Sequence, residues 1–160
     1  MSNDVSLASG SAANVPYVLA SGVGGSYNSN TGEGTVLTLT IPGGKIGPTG
    51  ILVIDALFSM TNSTNNKTFK FKLNGTIVSN YSAASSASSA PRISVRNKTQ
   101  SSQVTGAQGG STGLGSVASA ILATAIDTSV DTTLTITIQG FVTNEVAALE
   151  HYMVRIFPGA

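Results

Sequence analysis

The sequence predicts an all-β protein, an antiparallel β-sandwich of jelly-roll type with an extended N-terminal arm. Several segments alternate apolar residues with Thr or Lys at a period of two, the pattern of half-buried strands. Turn residues, mainly Gly and Asn, separate these segments, and no stretch has the periodicity of a long helix. Eight or so such strands are typical of a sandwich or barrel, among which we favour a jelly roll. We expect the arm over residues 1–34 and the sandwich over residues 35–160.

The arm is predicted from composition, because Ser, Gly, Ala and Asn dominate residues 1–34 and no periodicity persists there. Its one apolar cluster includes Pro16, Tyr17, Val18 and Leu19. One interpretation is a short strand that lies along its own domain. The other is a peg that docks on a neighbouring subunit and becomes ordered only on assembly. The residues leave both open.

The first strands of the sandwich are indicated by clear alternation. Leu37, Leu39 and Ile41 point one way, with threonines between them. The next stretch, Ile51–Met60, is apolar on both faces, with the residues at 52, 54, 56, 58 and 60 on one face. A strand of this kind is covered on both faces, so its second face needs a neighbour.

The second face of that strand and the arm cluster supply the candidate assembly contacts. On the strand they are the aliphatic residues that share a face with Asp55, itself predicted to pair with a lysine or arginine. The full set is Pro16, Tyr17, Val18, Leu19, Ile51, Val53 and Leu57.

A β-hairpin is predicted where Phe69, Phe71 and Leu73 alternate with lysines and lead into Asn74-Gly75. After it we expect a surface loop over residues 82–90, weak strands over 93–98 and 101–105, and an irregular glycine-rich stretch over 106–115. Residues 117–126 fit a strand or a short turn of helix equally well.

Two further strands are predicted in the last third of the chain. In the first, the residues at 134, 136 and 138 are aliphatic and alternate with threonines. In the second, Tyr152, Val154 and Ile156 lie opposite residues 151, 153 and 155.

The composition favours a protein that forms lasting contacts with other proteins over one that diffuses freely. Ser, Thr, Asn and Gly make up 70 of the 160 residues, and only 9% of the residues are charged. A surface of hydroxyls and amides is cheaper to desolvate than one of carboxylates and ammonium groups. The net charge of +1 argues against a dedicated nucleic-acid binder.

Charge is unevenly placed along the chain. Six basic residues and no acid lie between Ala56 and Ile126. From Asp127 onward the chain has four acids and one basic residue, Arg155. We expect the two halves to be neighbours in the fold and to neutralise each other; the alternative is a basic patch for a partner.

Catalytic, metal and cofactor sites find no support in the residues. The chain has no cysteine and one histidine, His151, which we interpret as a surface or interface residue rather than a general base. We therefore expect no enzyme activity and no cofactor. No basic and apolar leader or membrane-spanning run is present, so we expect synthesis in a cytoplasm and no membrane partner.

Two stretches resemble segments of tailed-bacteriophage virion proteins. Residues 50–76, GILVIDALFSMTNSTNNKTFKFKLNGT, show an apolar strand, a Thr/Asn turn and a Lys-Thr strand. Residues 131–158, with TTLTIT and LEHYMV, resemble the closing strands of such proteins. The resemblance implies a jelly-roll sandwich, a homotrimer and a place in the virion, made in the host cytoplasm and bound to the major capsid protein or other virion proteins.

The resemblance leaves more than one role open. Our first hypothesis is a capsid decoration (cement) protein that stabilises the head shell from the capsid surface. The alternative is a tail-fibre or head-fibre domain that binds a host-surface receptor, with Tyr17, Tyr27 and Tyr81 as candidate sugar-stacking residues.

Overall fold

The computed structural model describes residues 15–28, 32–106, 121–140, 142 and 144–160. Across these residues it contains twelve β-strands and no helix, which confirms the all-β prediction. The strands are β1 (Tyr17–Gly22), β2 (Ser26–Tyr27), β3 (Glu33–Ile41), β4 (Ile51–Met60), β5 (Lys67–Leu73), β6 (Thr76–Ala83), β7 (Ser88–Ser89), β8 (Arg92–Thr99), β9 (Ser102–Thr105), β10 (Leu122–Thr124), β11 (Thr132–Gln139) and β12 (Ala147–Phe157).

The strands form two antiparallel sheets. Sheet A has the order β1-β12-β4-β8-β9-β10, and the short strands β2 and β7 pair with β12 and β4. Sheet B has the order β3-β11-β5-β6. The two inner faces enclose one hydrophobic core, as the predicted β-sandwich requires.

The strand pairing is nested and is compatible with the predicted jelly roll. β1 pairs with β12, β3 with β11, β4 with β8, and β5 with β6, so strands from the first half of the chain meet later strands in reverse order. The outermost of these pairs joins the first described strand to the last.

Part of the predicted arm therefore belongs to the sheet. β1 and β2 lie within residues 1–34, and β3 begins at Glu33, before the expected domain start at residue 35. The segment 15–19 follows the first of its two interpretations, a strand along its own domain. Its pattern carried no period of two because β1 has a register shift between Val18 and Ala20. Residues 1–14 lie outside the described residues.

The core confirms the predicted alternation. Leu52, Ile54, Phe58 and their alternate neighbours on β4 are buried, as are the aliphatic residues at 134, 136 and 138 of β11. The Phe58 ring lies 4.4 Å from the Phe69 ring and 6.4 Å from the Phe71 ring, measured between centroids. These aromatic pairs join the two sheets at the centre of the sandwich.

The predicted hairpin is present between β5 and β6. Asn74 and Gly75 have φ angles of 47° and 79°, and Leu73 pairs with Thr76 across the turn. Two successive positive φ angles are what a type I′ turn requires, and Asn-Gly is the sequence that adopts them at least cost.

The weaker predictions have mixed outcomes. β8 and β9 confirm the strands expected near 93–98 and 101–105, whereas the expected loop 82–90 contains the end of β6 and the short β7. Within 117–126 the structure forms a strand, β10, and residues 117–120 lie outside the described part. Of the glycine-rich stretch 106–115 only Gly106 is described.

In the described ranges, no helix is long and apolar enough to cross a membrane.

Candidate assembly surface

The outer face of sheet A is built around β4, the strand predicted to be apolar on both sides. Leu52 and its alternate neighbours face the core, so Ile51, Val53 and Leu57 lie on the opposite, outer face. Leu57 is 41% exposed, Ile51 is half-buried, and Val53 keeps 8% of its surface. The strand thus presents an aliphatic row outside the core of its own domain.

β1 adds a further apolar residue to the same face. Val18 pairs with Arg155 of β12, and Arg155 pairs with Val53 of β4, so the three side chains form one row across three strands. Val18 is 52% exposed. The structure therefore brings together four of the seven candidate contacts, Val18, Ile51, Val53 and Leu57.

The other three candidate contacts lie elsewhere on β1. Leu19 sits at the register shift and packs against the core. Tyr17 pairs with the core residue Ile156, at the edge of the sheet, where burial raises the pKa of its hydroxyl. Pro16 precedes β1 and is exposed.

β12 contributes outer-face residues that were not among the candidate contacts. Met153 is half-buried, and Phe157 is 36% exposed with its ring centroid 6.0 Å from the guanidinium carbon of Arg155. The alternation in the sequence already placed Met153 and Arg155 on one face. What it did not give was that β12 lies beside β4.

Asp55 forms an ion-pair network at the centre of this face. Its Oδ1 lies 2.5 Å from Arg92 Nε, and its Oδ2 lies 2.6 Å from Arg155 Nη2. Burial opposes ionisation, but the hydrogen bonds from Arg92 and Arg155 prevail and lower the pKa of Asp55 below its ordinary value. The predicted pairing of Asp55 with a basic residue is confirmed.

β8 gives the face a basic row. Arg92, Ser94, Arg96 and Lys98 alternate with buried residues and are exposed. No salt bridge among the described residues involves Arg96 or Lys98. We call the following set the sheet A surface: Val18, Ile51, Val53, Asp55, Leu57, Arg92, Arg96, Lys98, Met153, Arg155 and Phe157.

The outer face of sheet B differs because its charges are paired and its apolar content is low. Threonines of β3 and β11 lie opposite each other, as in the pair Thr38–Thr135. Lys70 Nζ lies 2.7 Å from Glu33 Oε2, and Lys72 also binds Glu33. Hydrogen bonds from Lys70 and Lys72 lower the pKa of Glu33 from 4.5 to about 2.

The expected neutralisation between the two halves of the chain is observed at one buried pair. Lys67 Nζ lies 3.1 Å from Glu145 Oε2, and the lysine is completely buried. Hydrogen bonds from Ser63 and Asn65, together with Lys67, lower the pKa of Glu145. The other basic residues between Ala56 and Ile126 do not all follow this pattern, since Arg92 pairs with Asp55, which precedes that stretch.

The residues considered for catalysis or sugar binding occupy other environments. His151 is exposed on β12 opposite Leu57, and no group of three or more His, Cys, Asp or Glu able to hold a metal occurs in the described part of the chain. Tyr27 and Tyr81 pack against the core, and the Tyr81 ring stacks on Phe69 at 5.0 Å. Burial raises the pKa of the Tyr81 hydroxyl.

Comparison with known proteins gives distant structural likenesses. No protein-family model and no curated protein sequence matches the chain. Dimeric latent PorU from Porphyromonas gingivalis is similar over 75% of this chain and 10% of its own, with 11% identity and a TM-score of 0.40. A chain in the structure of infectious bursal disease virus, Gx strain, is similar over 91% of this chain and 33% of its own, with 10% identity and a TM-score of 0.44. This chain thus spans about a tenth and a third of the two solved chains.

Proposed function

We propose that this chain is a structural protein of a bacteriophage virion, a capsid decoration protein that binds and stabilises the head shell as a homo-oligomer. The observation that carries the proposal is the sheet A surface, where Val18, Leu57 and Phe157 are exposed on a β-sheet face. Exposed apolar side chains grouped on one face and rimmed by polar groups are typical of protein-binding surfaces.

The physical role follows from area and desolvation. A stable protein interface buries roughly 1,600 Å² in total, and apolar area contributes about 25 cal/mol per Å² removed from water. A chain with 9% charged residues desolvates its surface at low cost. Many copies bound to one shell add such contacts at each site. A homotrimer, which the sequence resemblance implies, would bind more tightly than a single chain because its three linked copies bind together.

The sequence resemblance and the surface involve the same strands. Residues 50–76 contain β4, and residues 131–158 contain β12, so the two stretches that resemble tailed-phage virion proteins include the two neighbouring strands at the centre of the sheet A surface. The assembly role and the virion setting are thus supported by the same part of the fold.

The test is binding of the purified protein to emptied capsids of the parent virus, with Leu57→Gln as the variant. We expect Leu57→Gln to lower the affinity about tenfold, the equivalent of 1.4 kcal/mol, because it places an amide in the apolar contact. Ile77→Gln is the matched control: Ile77 is 36% exposed on β6 of sheet B, and the control variant should bind as the unmodified chain does.

Circular dichroism of both variants verifies that the sandwich remains folded, and sedimentation velocity gives the oligomer number. Equal affinities for Leu57→Gln and Ile77→Gln would contradict the proposed use of sheet A. Adsorption to host cells without binding to capsids would favour the fibre alternative instead.

A further inference from the structure

We propose that the sheet A surface docks on an acidic surface of a different protein rather than on a second copy of itself. This inference rests on the proposed function and specifies the partner's chemistry. It starts from the contact between the basic row of β8 and the aliphatic row of β4.

The two rows lie side by side on the same face. Arg96 pairs with Ile51, and Arg92 pairs with Asp55. Neighbouring strands are about 4.8 Å apart, so each β8 side chain flanks a β4 side chain. A partner that covers Ile51 must therefore also meet Arg96.

The charge on this part of the face is unbalanced. Arg92 and Arg155 both bind the carboxylate of Asp55. Arg96 and Lys98 add two exposed positive charges on β8. The nearest further acid on β12 is Glu150, which accepts a hydrogen bond of 2.5 Å from Ser59 Oγ towards the other end of β4.

A second copy stacked face to face with β8 over β8 would bring one positive row towards another, and like charges across an interface are costly. A second copy stacked with β1 over β8 would offer no acid to Arg96 and Lys98, because β1 contains none. Nucleic acid is a poor fit because phosphates gain nothing from Ile51, Val53 or Leu57, and the net charge of the chain is only +1. A protein surface with carboxylates beside an apolar ridge fits better, because its carboxylates can pair with the basic row of β8 while its ridge covers the aliphatic row of β4.

The experiment measures binding to emptied capsids of the parent virus at several salt concentrations. Arg96→Glu is compared with Lys45→Glu, a charge change of the same size at an exposed residue of the turn before β4, which is not part of the sheet A surface. We expect Arg96→Glu to weaken binding more than tenfold and to reduce its salt dependence, while Lys45→Glu binds as the unmodified chain does.

The possible outcomes separate this inference from the proposed function. If Leu57→Gln weakens binding and Arg96→Glu does not, the acidic partner is wrong and the decoration role stands. If the unmodified chain does not bind capsids, both fail. Two further outcomes would overturn the inference. One is that Arg96→Glu dissociates the homo-oligomer. The other is that the unmodified chain binds duplex DNA and Arg96→Glu does not.

Discussion

Lys67 shows how a single residue ties distant parts of the sandwich together. Its ammonium group donates to Ser63 Oγ at 2.6 Å and to the backbone oxygen of Asn65 at 3.0 Å, and pairs with Glu145. Asn65 Nδ2 in turn donates to Glu145 Oε1 at 2.9 Å. The turn before β5 is thereby fixed to the segment before β12. Because the ammonium is buried, its partners must stay in place.

Replacing Lys67 with Met should lower the free energy of unfolding by about 3 kcal/mol, since removal of the lysine leaves the buried Glu145 carboxylate without its opposite charge. Urea unfolding followed by circular dichroism measures this. Lys72→Met is the control, because Lys72 lies on the same strand but keeps 20% of its side chain exposed in its pair with Glu33. It should cost less than about 1 kcal/mol. Equal losses would contradict the structural role of Lys67.

At the scale of elements, an aromatic residue of β2 fixes the start of β3. A Cβ on Gly34 would lie 2.0 Å from Cδ2 of the Tyr27 ring, so the ring occupies the space that any side chain at position 34 would need. Tyr27 also packs against the core. The absence of a side chain at Gly34 therefore allows β2 to cover the edge of the sandwich.

Gly34→Ala should destabilise the protein by about 1–3 kcal/mol, because the added methyl group displaces the Tyr27 ring. In a Tyr27→Ala background the same change should cost little, which a double-mutant cycle of unfolding free energies would show. Gly106→Ala serves as the control, since a Cβ at Gly106 meets no atom of the described residues within 4 Å. If Gly34→Ala is equally harmless, the proposed packing of Tyr27 is wrong.

At the scale of the whole molecule, one edge of sheet A is formed by the pairing of the first described strand with the last. β1 covers one edge of β12, and its pairing with Val154 and Ile156 flanks two completely buried core residues. An uncovered edge strand exposes unpaired backbone groups and invites aggregation. The stability of the sandwich thus depends on residues that composition alone assigns to an arm.

Deletion of residues 1–22 should therefore lower the urea midpoint and promote aggregation, because it removes β1 and exposes the edge of β12. Deletion of residues 1–14 is the comparison, because it keeps β1 paired with β12 and removes none of the described strands. Urea titrations and light scattering on the two truncated chains make the comparison. Equal midpoints would show that β1 contributes nothing to the sandwich.

The sequence by itself determined the strands with clear alternation and the turns with special backbone geometry. The period of two in β4, β5 and β11 and the Asn74-Gly75 turn depend on neighbours within a few residues, so they can be recognised locally. The same reasoning placed Ile51, Val53 and Leu57 on one face and gave Asp55 a basic partner, without saying which one.

Only the tertiary structure decided which strands are neighbours. The position of β12 beside β4 brings Arg155 to Asp55 and Val18 into the row of Val53, across nearly the whole length of the chain. The residues of β1 left both a strand and a docking peg open, because an edge strand with a register shift carries no regular pattern that would decide between them. Strand pairing depends on how the whole chain fills one core, and a local pattern of apolar and polar residues does not contain that information.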